Sequence, residues 1–178
     1  MRSKTRSPIS SGIQIIASNQ IRPGDYIRID DEMQGFVEDI NWRNTTIREM
    51  RNNLIIIPND KLAQSSFKNF RLPELELTLA VPIGVSYGAD LDTVERETIE
   101  AARDVSTAMA FEPHGEPFVR FSGFGDSSID LQIFMRVPSY VDQFLARSAL
   151  VKAVYRRYDR AGIEFPFPTR TVHLHTNG

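Results

Sequence analysis

Gly24-Asp25-Tyr26-Ile27-Arg28-Ile29-Asp30-Asp31-Glu32 opens the stretch that decides the fold, and Ile57-Pro58-Asn59 followed by Asn69-Phe70 closes it. Arg22-Pro23-Gly24-Asp25 is a turn-forming cluster, because Pro presets one φ and Gly permits a positive one. Short β-rich runs follow, separated by the acidic turn Asp30-Asp31-Glu32 and by Asn52-Asn53, which tolerates left-handed backbone. The pattern predicts strands over 26–29, 36–40, 45–50, 54–57 and 66–70, with Pro58 ending the fourth or placing it on an edge. Five short strands with no room for a long helix indicate a small, strongly bent β barrel or sandwich over 22–71.

Beyond Arg71-Leu72-Pro73-Glu74, the joint between domains, the period changes. Leu75, Leu77, Leu79 and Val81 recur every second residue, as on one face of a sheet. From Asp90 the spacing is helical: Leu91, Val94, Thr98, Ala101 or Ala102, Val105 and Met109 share a stripe, with Asp90 or Asp92 as cap. Strands are expected over 118–121 and 129–137, joined through Gly123-Phe124-Gly125-Asp126-Ser127 as a hairpin. A second helix from near Tyr140 would turn Val141, Phe144, Leu145, Val151, Val154, Tyr155 and Tyr158 inward. It carries Arg156, Arg157 and Arg160 near its negative dipole end and stops at Gly162. Thr169 to His175 offers a last strand. The order strand, helix, strand, strand, helix, strand over 72–178 is that of a ferredoxin-like, split βαβ α+β domain.

With 178 residues, 41% of them hydrophobic, the chain can bury one ordinary core or two small ones. A formal charge of -2 gives no global attraction to nucleic acid or anionic lipid. The absence of Cys removes disulfides, thiolate nucleophiles and Cys-ligated zinc. Apolar runs such as Leu54 to Ile57 fall far short of the ~20 residues of a spanning helix, so the chain as given is expected to be soluble. Met1 to Pro8 is basic and polar and reads as a flexible arm.

The reactive side chains do not assemble into a site by sequence. His173 and His175 share a strand face, but with no carboxylate nearer than Glu164 they read as an exposed polar face rather than a metal pair. His114 sits in a turn. Gly123-Phe124-Gly125 leads into a strand, not the helix a phosphate loop needs. Asp126, Ser127, Ser128 and Asp130 have no neighbouring His, and no nucleophile elbow occurs. Arg43, Arg48 and Arg51 beside Trp42 would suit single-stranded RNA on a small barrel. The plainer expectation is that Trp42 packs and the arginines pair with Glu38, Asp39 and Glu49. No catalytic, metal or cofactor residue is expected.

Two signatures, about ninety residues apart, carry a resemblance. The first comprises Gly24 and Asp25, then Gly35, Thr46 with Arg48, Pro58-Asn59 and Asn69. The second is Ala161-Gly162-Ile163-Glu164-Phe165-Pro166-Phe167-Pro168. In that order they resemble the cytoplasmic part of the small-conductance mechanosensitive ion channel (MscS-like) family, without its transmembrane helices. Residues 1–21 would be an arm and the remnant of the pore-helix end, of which Ser11 to Ile16 alone resembles the family. The resemblance implies an Sm-like five-stranded barrel at 22–71, a ferredoxin-like domain at 72–178, and a homoheptamer enclosing a vestibule crossed by ions and small solutes. It places this part on the cytoplasmic side of the inner membrane, in osmotic-shock protection, with no enzyme activity, no nucleic acid, and membrane contact only through the missing helices. Gly24, Asp25, Gly35, Thr46, Arg48, Pro58, Asn59, Asn69, Gly162, Pro166 and Pro168 would be architectural. The rival reading is a stand-alone Sm-like RNA-binding module, and a ligand-sensing ferredoxin-like domain is a weaker third.

Overall fold

The computed structural model describes residues 20–111 and 115–168, and the chain divides into two compact units between Leu75 and Glu76. In the first unit the strands are β1 (Tyr26–Ile29), β2 (Met33–Ile40), β3 (Asn44–Arg48), β4 (Leu54–Pro58) and β5 (Phe67–Asn69). They form one antiparallel sheet in the order β4-β3-β2-β1-β5, with β4 and β5 as its edges. Asp30 and Asp31 (φ 47° and 60°) close the β1–β2 hairpin and Asn52 (φ 68°) the β3–β4 hairpin. These short polar residues stand left-handed backbone better than larger ones would. A register shift between Val37 and Asp39 bulges β2 against β3 and bends the sheet. Ile27, Ile29, Val37, Ile47 and Ile57 fill the concave side, and burying each contributes about 1.5–3 kcal/mol.

The sequence pattern misses one element. Asn59–Leu62 forms a single helical turn, α1, which drives Leu62 (1% exposed) into the core. Four residues are too few for a helical period to show. Gly35 answers to a different constraint. A Cβ there would collide with the Arg48 carbonyl oxygen and stand 2.8 Å from Ile47 Cγ2. β2 and β3 approach this closely only because the position is bare.

The second unit comprises β6 (Leu77–Val85), α2 (Leu91–Ala108), β7 (Phe118–Phe124), β8 (Ile129–Val137) and α3 (Asp142–Ala161). The described strands make an antiparallel sheet in the order β6-β8-β7, so strands adjacent in space are not all adjacent in sequence, as split βαβ topology requires. β8 alternates without fault: Ile129, Leu131, Ile133, Met135 and Val137 are buried and the residues between them are not. Val94, Thr98, Ala101, Ala102 and Val105 of α2 and Ala146, Leu150, Val154 and Tyr158 of α3 are the buried residues that pack on that face. Thr169 to His175, His114, His173, His175 and the arm through residue 19 lie outside the described residues.

Three expectations need correcting. The inward stripe of α3 is Ala146, Leu150, Val154 and Tyr158, whereas Phe144, Leu145, Val151 and Tyr155 are exposed and Val141 precedes the helix. An α3 rich in large apolar residues on both flanks offers several stripes, and the small Ala146 takes the close approach that a larger residue could not. The sheet strand begins at Leu77, leaving Leu75 exposed, and continues through Pro82 to Val85, which an edge position allows. β7 extends to Phe124, so the connection itself is the turn Gly125 to Ser128, with the Gly125 N–H donating to the Ser128 carbonyl at 2.8 Å.

Packing of this kind makes two comparisons measurable by denaturant unfolding. Gly35→Ala pits a methyl group against backbone and is expected to cost about 1–3 kcal/mol. Leu150→Ala should cost about 2–5 kcal/mol, while Leu145→Ala on the same helix should stay within about 0.5 kcal/mol. Equal losses at Leu150 and Leu145 would contradict the assigned helix face.

Candidate functional site

In the first unit the buried polar side chains fall at two nodes. Arg22-Pro23-Gly24-Asp25 is a type II turn, with Gly24 at φ 90° and the Asp25 N–H donating to the Arg22 carbonyl at 3.0 Å. The turn delivers the Asp25 side chain into the interior, where the residue is 2% exposed. Its Oδ2 accepts from the Arg22 N–H (2.9 Å) and from Asn69 Nδ2 (2.8 Å), and the Arg71 guanidinium stands 3.8 Å from Oδ1. Asn69 Nδ2 also donates to the Gln20 carbonyl, and its Oδ1 accepts the Arg71 N–H. The start of the sheet is thereby tied to the end of β5.

The second node sits at the far end of β4. Asn59 (1% exposed) accepts the Thr45 hydroxyl on Oδ1 at 2.8 Å, donates from Nδ2 to the Asn41 carbonyl at 2.8 Å, and donates its own N–H to the Arg43 carbonyl. Pro58 pairs with Asn44 at the tip of β3 and hands the chain to this amide. Thr45, fully buried, is the polar partner here, while Thr46, one residue on, is half-buried with its backbone opposite Ile56. Sequence reading singles out Thr46 and misses Thr45 and Asn41. Only their proximity to Asn59 in the folded sheet reveals them.

In the second unit, Gly162 (φ 70°) ends α3 in a Schellman motif. The Ile163 N–H donates to the Tyr158 carbonyl and the Gly162 N–H to the Asp159 carbonyl, which puts Ile163 in the core with Tyr158. Burial pushes the Tyr158 hydroxyl pKa up, against the opposing effect of its 2.6 Å hydrogen bond with Thr98. The chain then runs beside β6. The Glu164 carbonyl accepts the Ser86 N–H, Phe165 stacks on Tyr155 and Tyr158, and Pro166 Cγ comes within 3.5 Å of where a Gly84 Cβ would stand. Arg147 donates to the Ala80 carbonyl, and Pro82 has no N–H to offer. Phe167 and Pro168 are exposed.

The remaining candidates stay apart. Trp42 is 61% exposed and does not pack, because its loop lies beyond the sheet, and it borders a space of about 550 Å³ with Arg43, Asn44, Pro58 and Asp60. Arg48 pairs with Glu38 at 3.5 Å on the surface. Ser128 donates to Asp130 at 2.7 Å beside the β7–β8 turn. A cleft of about 450 Å³ beside β6 is lined by Val81, Ile83, Val151, Tyr155 and Phe165, with no acid–base pair in it. Among the described residues no cluster of His, Asp or Glu could hold a metal ion, and no helix is long and apolar enough to cross a membrane. The arrangement holds shape: among the described residues, buried polar side-chain atoms all have hydrogen-bond partners.

Comparison with known proteins gives this scaffold its kin. Residues 6–72 match the family model of the mechanosensitive ion channel β-domain, and residues 79–165 match that of the C-terminal part of the mechanosensitive ion channel MscS. An uncharacterized MscS family protein of Synechocystis is 31% identical over 93% of this chain and 54% of its own length. A small-conductance mechanosensitive channel of Helicobacter pylori is 31% identical over 90% of this chain and 57% of its own length. The chain thus spans about half the length of these curated relatives. The crystal structure of Helicobacter pylori MscS in its closed state superposes with a TM-score of 0.76 at 26% identity, over 96% of this chain and 65% of that one. Arabidopsis thaliana MSL1, at 17% identity and a TM-score of 0.68 over 91% of this chain and 58% of that one, shares the fold. With both domain models matched in order and relatives of one kind across nearly its whole length, the chain belongs to the MscS family of mechanosensitive ion channels.

Proposed function

We propose that this chain is the cytoplasmic vestibule portion of a tension-gated channel, assembling as a homoheptamer around a water-filled chamber that ions and small solutes cross during osmotic shock. The observation that carries this is the family's β-domain followed by its C-terminal domain in one chain. In this reading 22–71 is the Sm-like ring-forming domain and 72–178 the ferredoxin-like wall, with the membrane reached through helices beyond these elements. No reaction is assigned, because the cleft beside β6 lacks a proton donor and acceptor pair. The RNA-binding alternative finds no support among the relatives.

The first unit also has a physical need for neighbours. β4 is an edge strand with Leu54 (57% exposed) and Ile56 (62% exposed) facing solvent, a surface that isolated sheets usually blunt with charge. β5 offers the opposite edge, and repeated edge-to-edge contact between unlike edges closes a ring. Native mass spectrometry should show seven copies, and Ile56→Lys should shift the population toward monomer while circular dichroism is retained. A monomer both before and after that substitution would count against assembly through this unit. Fused behind the pore helices of a relative, the chain should support tension-gated current in patch recording.

Gly24, Asp25, Gly35, Thr46, Arg48, Pro58, Asn59, Asn69, Gly162, Pro166 and Pro168 are assigned to architecture rather than to ion contact. Asn59→Ala would take from the Thr45 hydroxyl and the Asn41 carbonyl the side-chain partner each has here. It should cost about 1–3 kcal/mol in denaturant unfolding. Unchanged stability combined with altered ion selectivity in the fused channel would overturn the assignment.

A further inference from the structure

Along α3, Lys152, Arg156 and Arg160 recur every fourth residue, so their side chains line one face over about 12 Å. All three are exposed, and among the described residues none engages a carboxylate. Glu97 and Asp104, the carboxylates of the facing helix nearest this side of α3, are already committed. Arg157 donates to Glu97 at 3.0 Å and to Asp104 at 2.9 Å across the α2–α3 contact. Lys152, Arg156 and Arg160 border a groove of about 350 Å³ between the helices, with Val105, Met109 and Ala149 among its apolar lining. Among the described residues Asp104 is the one acid lining it, held by Arg157.

Compensation of the helix dipole would account for Arg160, in the last turn, but not for Lys152 two turns earlier, since that effect fades within one turn. Cations set about 6 Å apart over two turns match an anion bearing several charges along its length, whose oxygens can meet all three at once. Two guanidinium forks suit phosphate oxygens, and the groove's small apolar residues leave room for an organic portion.

We propose that the α2–α3 groove is a binding site for a polyvalent phosphate-bearing anion, held by Lys152, Arg156 and Arg160. The inference is independent of the channel reading and of the oligomeric state. Inorganic tripolyphosphate and vesicles of phosphatidylglycerol in phosphatidylcholine separate the two sources of that chemistry, a free polyphosphate and a row of lipid headgroups. Calorimetric titration of the 178-residue chain with tripolyphosphate at low salt should give saturable binding. The triple variant Lys152→Gln, Arg156→Gln, Arg160→Gln should weaken it about tenfold or more, with the unfolding midpoint unchanged because the three residues are exposed. A control triple, Arg43→Gln, Arg51→Gln, Lys61→Gln, removes the same charge from the first unit and should bind as the parent does. If lipid is the source, the parent should float with the vesicles, tripolyphosphate should displace it, and the α3 variant should stay behind. Binding to neither probe, or equal weakening in both triple variants, would overturn the site.

Discussion

An antiparallel sheet that does not close on itself leaves a row of backbone donors and acceptors along each edge, and how this chain deals with its edges organises both units. In the second unit the β6 edge is met by the molecule's own groups. Arg147 takes the Ala80 carbonyl, Pro82 presents no donor, Glu164 receives the Ser86 N–H, and Pro166 lies against Gly84. The segment from Gly162 to Pro168 thus lies along that strand. Gly162 reverses the chain out of α3, and the two prolines keep the returning segment extended and remove two of its ladder donors. At the other edge of the described sheet, β7 carries a register shift between Phe121 and Gly123, which spoils a continuous ladder for an incoming strand. Among the described residues the first unit guards β4 only at its end, where Pro58 presents no donor, and leaves Leu54 and Ile56 exposed along it.

The buried polar nodes bear on the same problem from inside. Short strands give few ladder bonds, so a five-stranded sheet of this size needs ties between segments far apart in sequence. Asn69 reaches Asp25 across 44 residues, and Asn59 reaches Asn41 across 18. A buried carboxylate without its donors would cost several kcal/mol, which makes the geometry at Arg22 to Asp25 a condition of folding rather than an ornament of it.

Much of this was legible in the residues, for reasons that differ element by element. β8 declared itself because one face is buried and the other is not, so the period of two appears undiluted. Pro58 and Gly162 announced breaks because their backbone limits do not depend on context. The face of α3 was not legible: its sequence supplies more large apolar residues than one stripe can hold, and only the sheet it packs on selects Ala146 over Leu145. Thr45 could not be told from Thr46, since a hydroxyl's partner 14 residues away leaves no mark on local pattern. Trp42 defied the rule that large aromatics pack, because it lies in a loop that the core does not reach.

The excess of large side chains on α3 has a structural meaning. A helix packed on a sheet needs one apolar stripe, yet α3 presents three distinct surfaces. Ala146, Leu150, Val154 and Tyr158 face the core. Val151 and Tyr155 face the apolar cleft beside β6, where Phe165 stacks on Tyr155. Lys152, Arg156 and Arg160 border the groove toward α2. The core stripe alone would hold the helix, and the apolar cleft face is stabilised in part by the returning chain. The cationic face contributes nothing to either. Apart from what Arg160 adds at the helix dipole, exposed charges that pair with no carboxylate add little stability, so their alignment over two turns is not something the fold itself requires. Their common direction is therefore better explained by what the groove meets than by what the domain needs in order to fold.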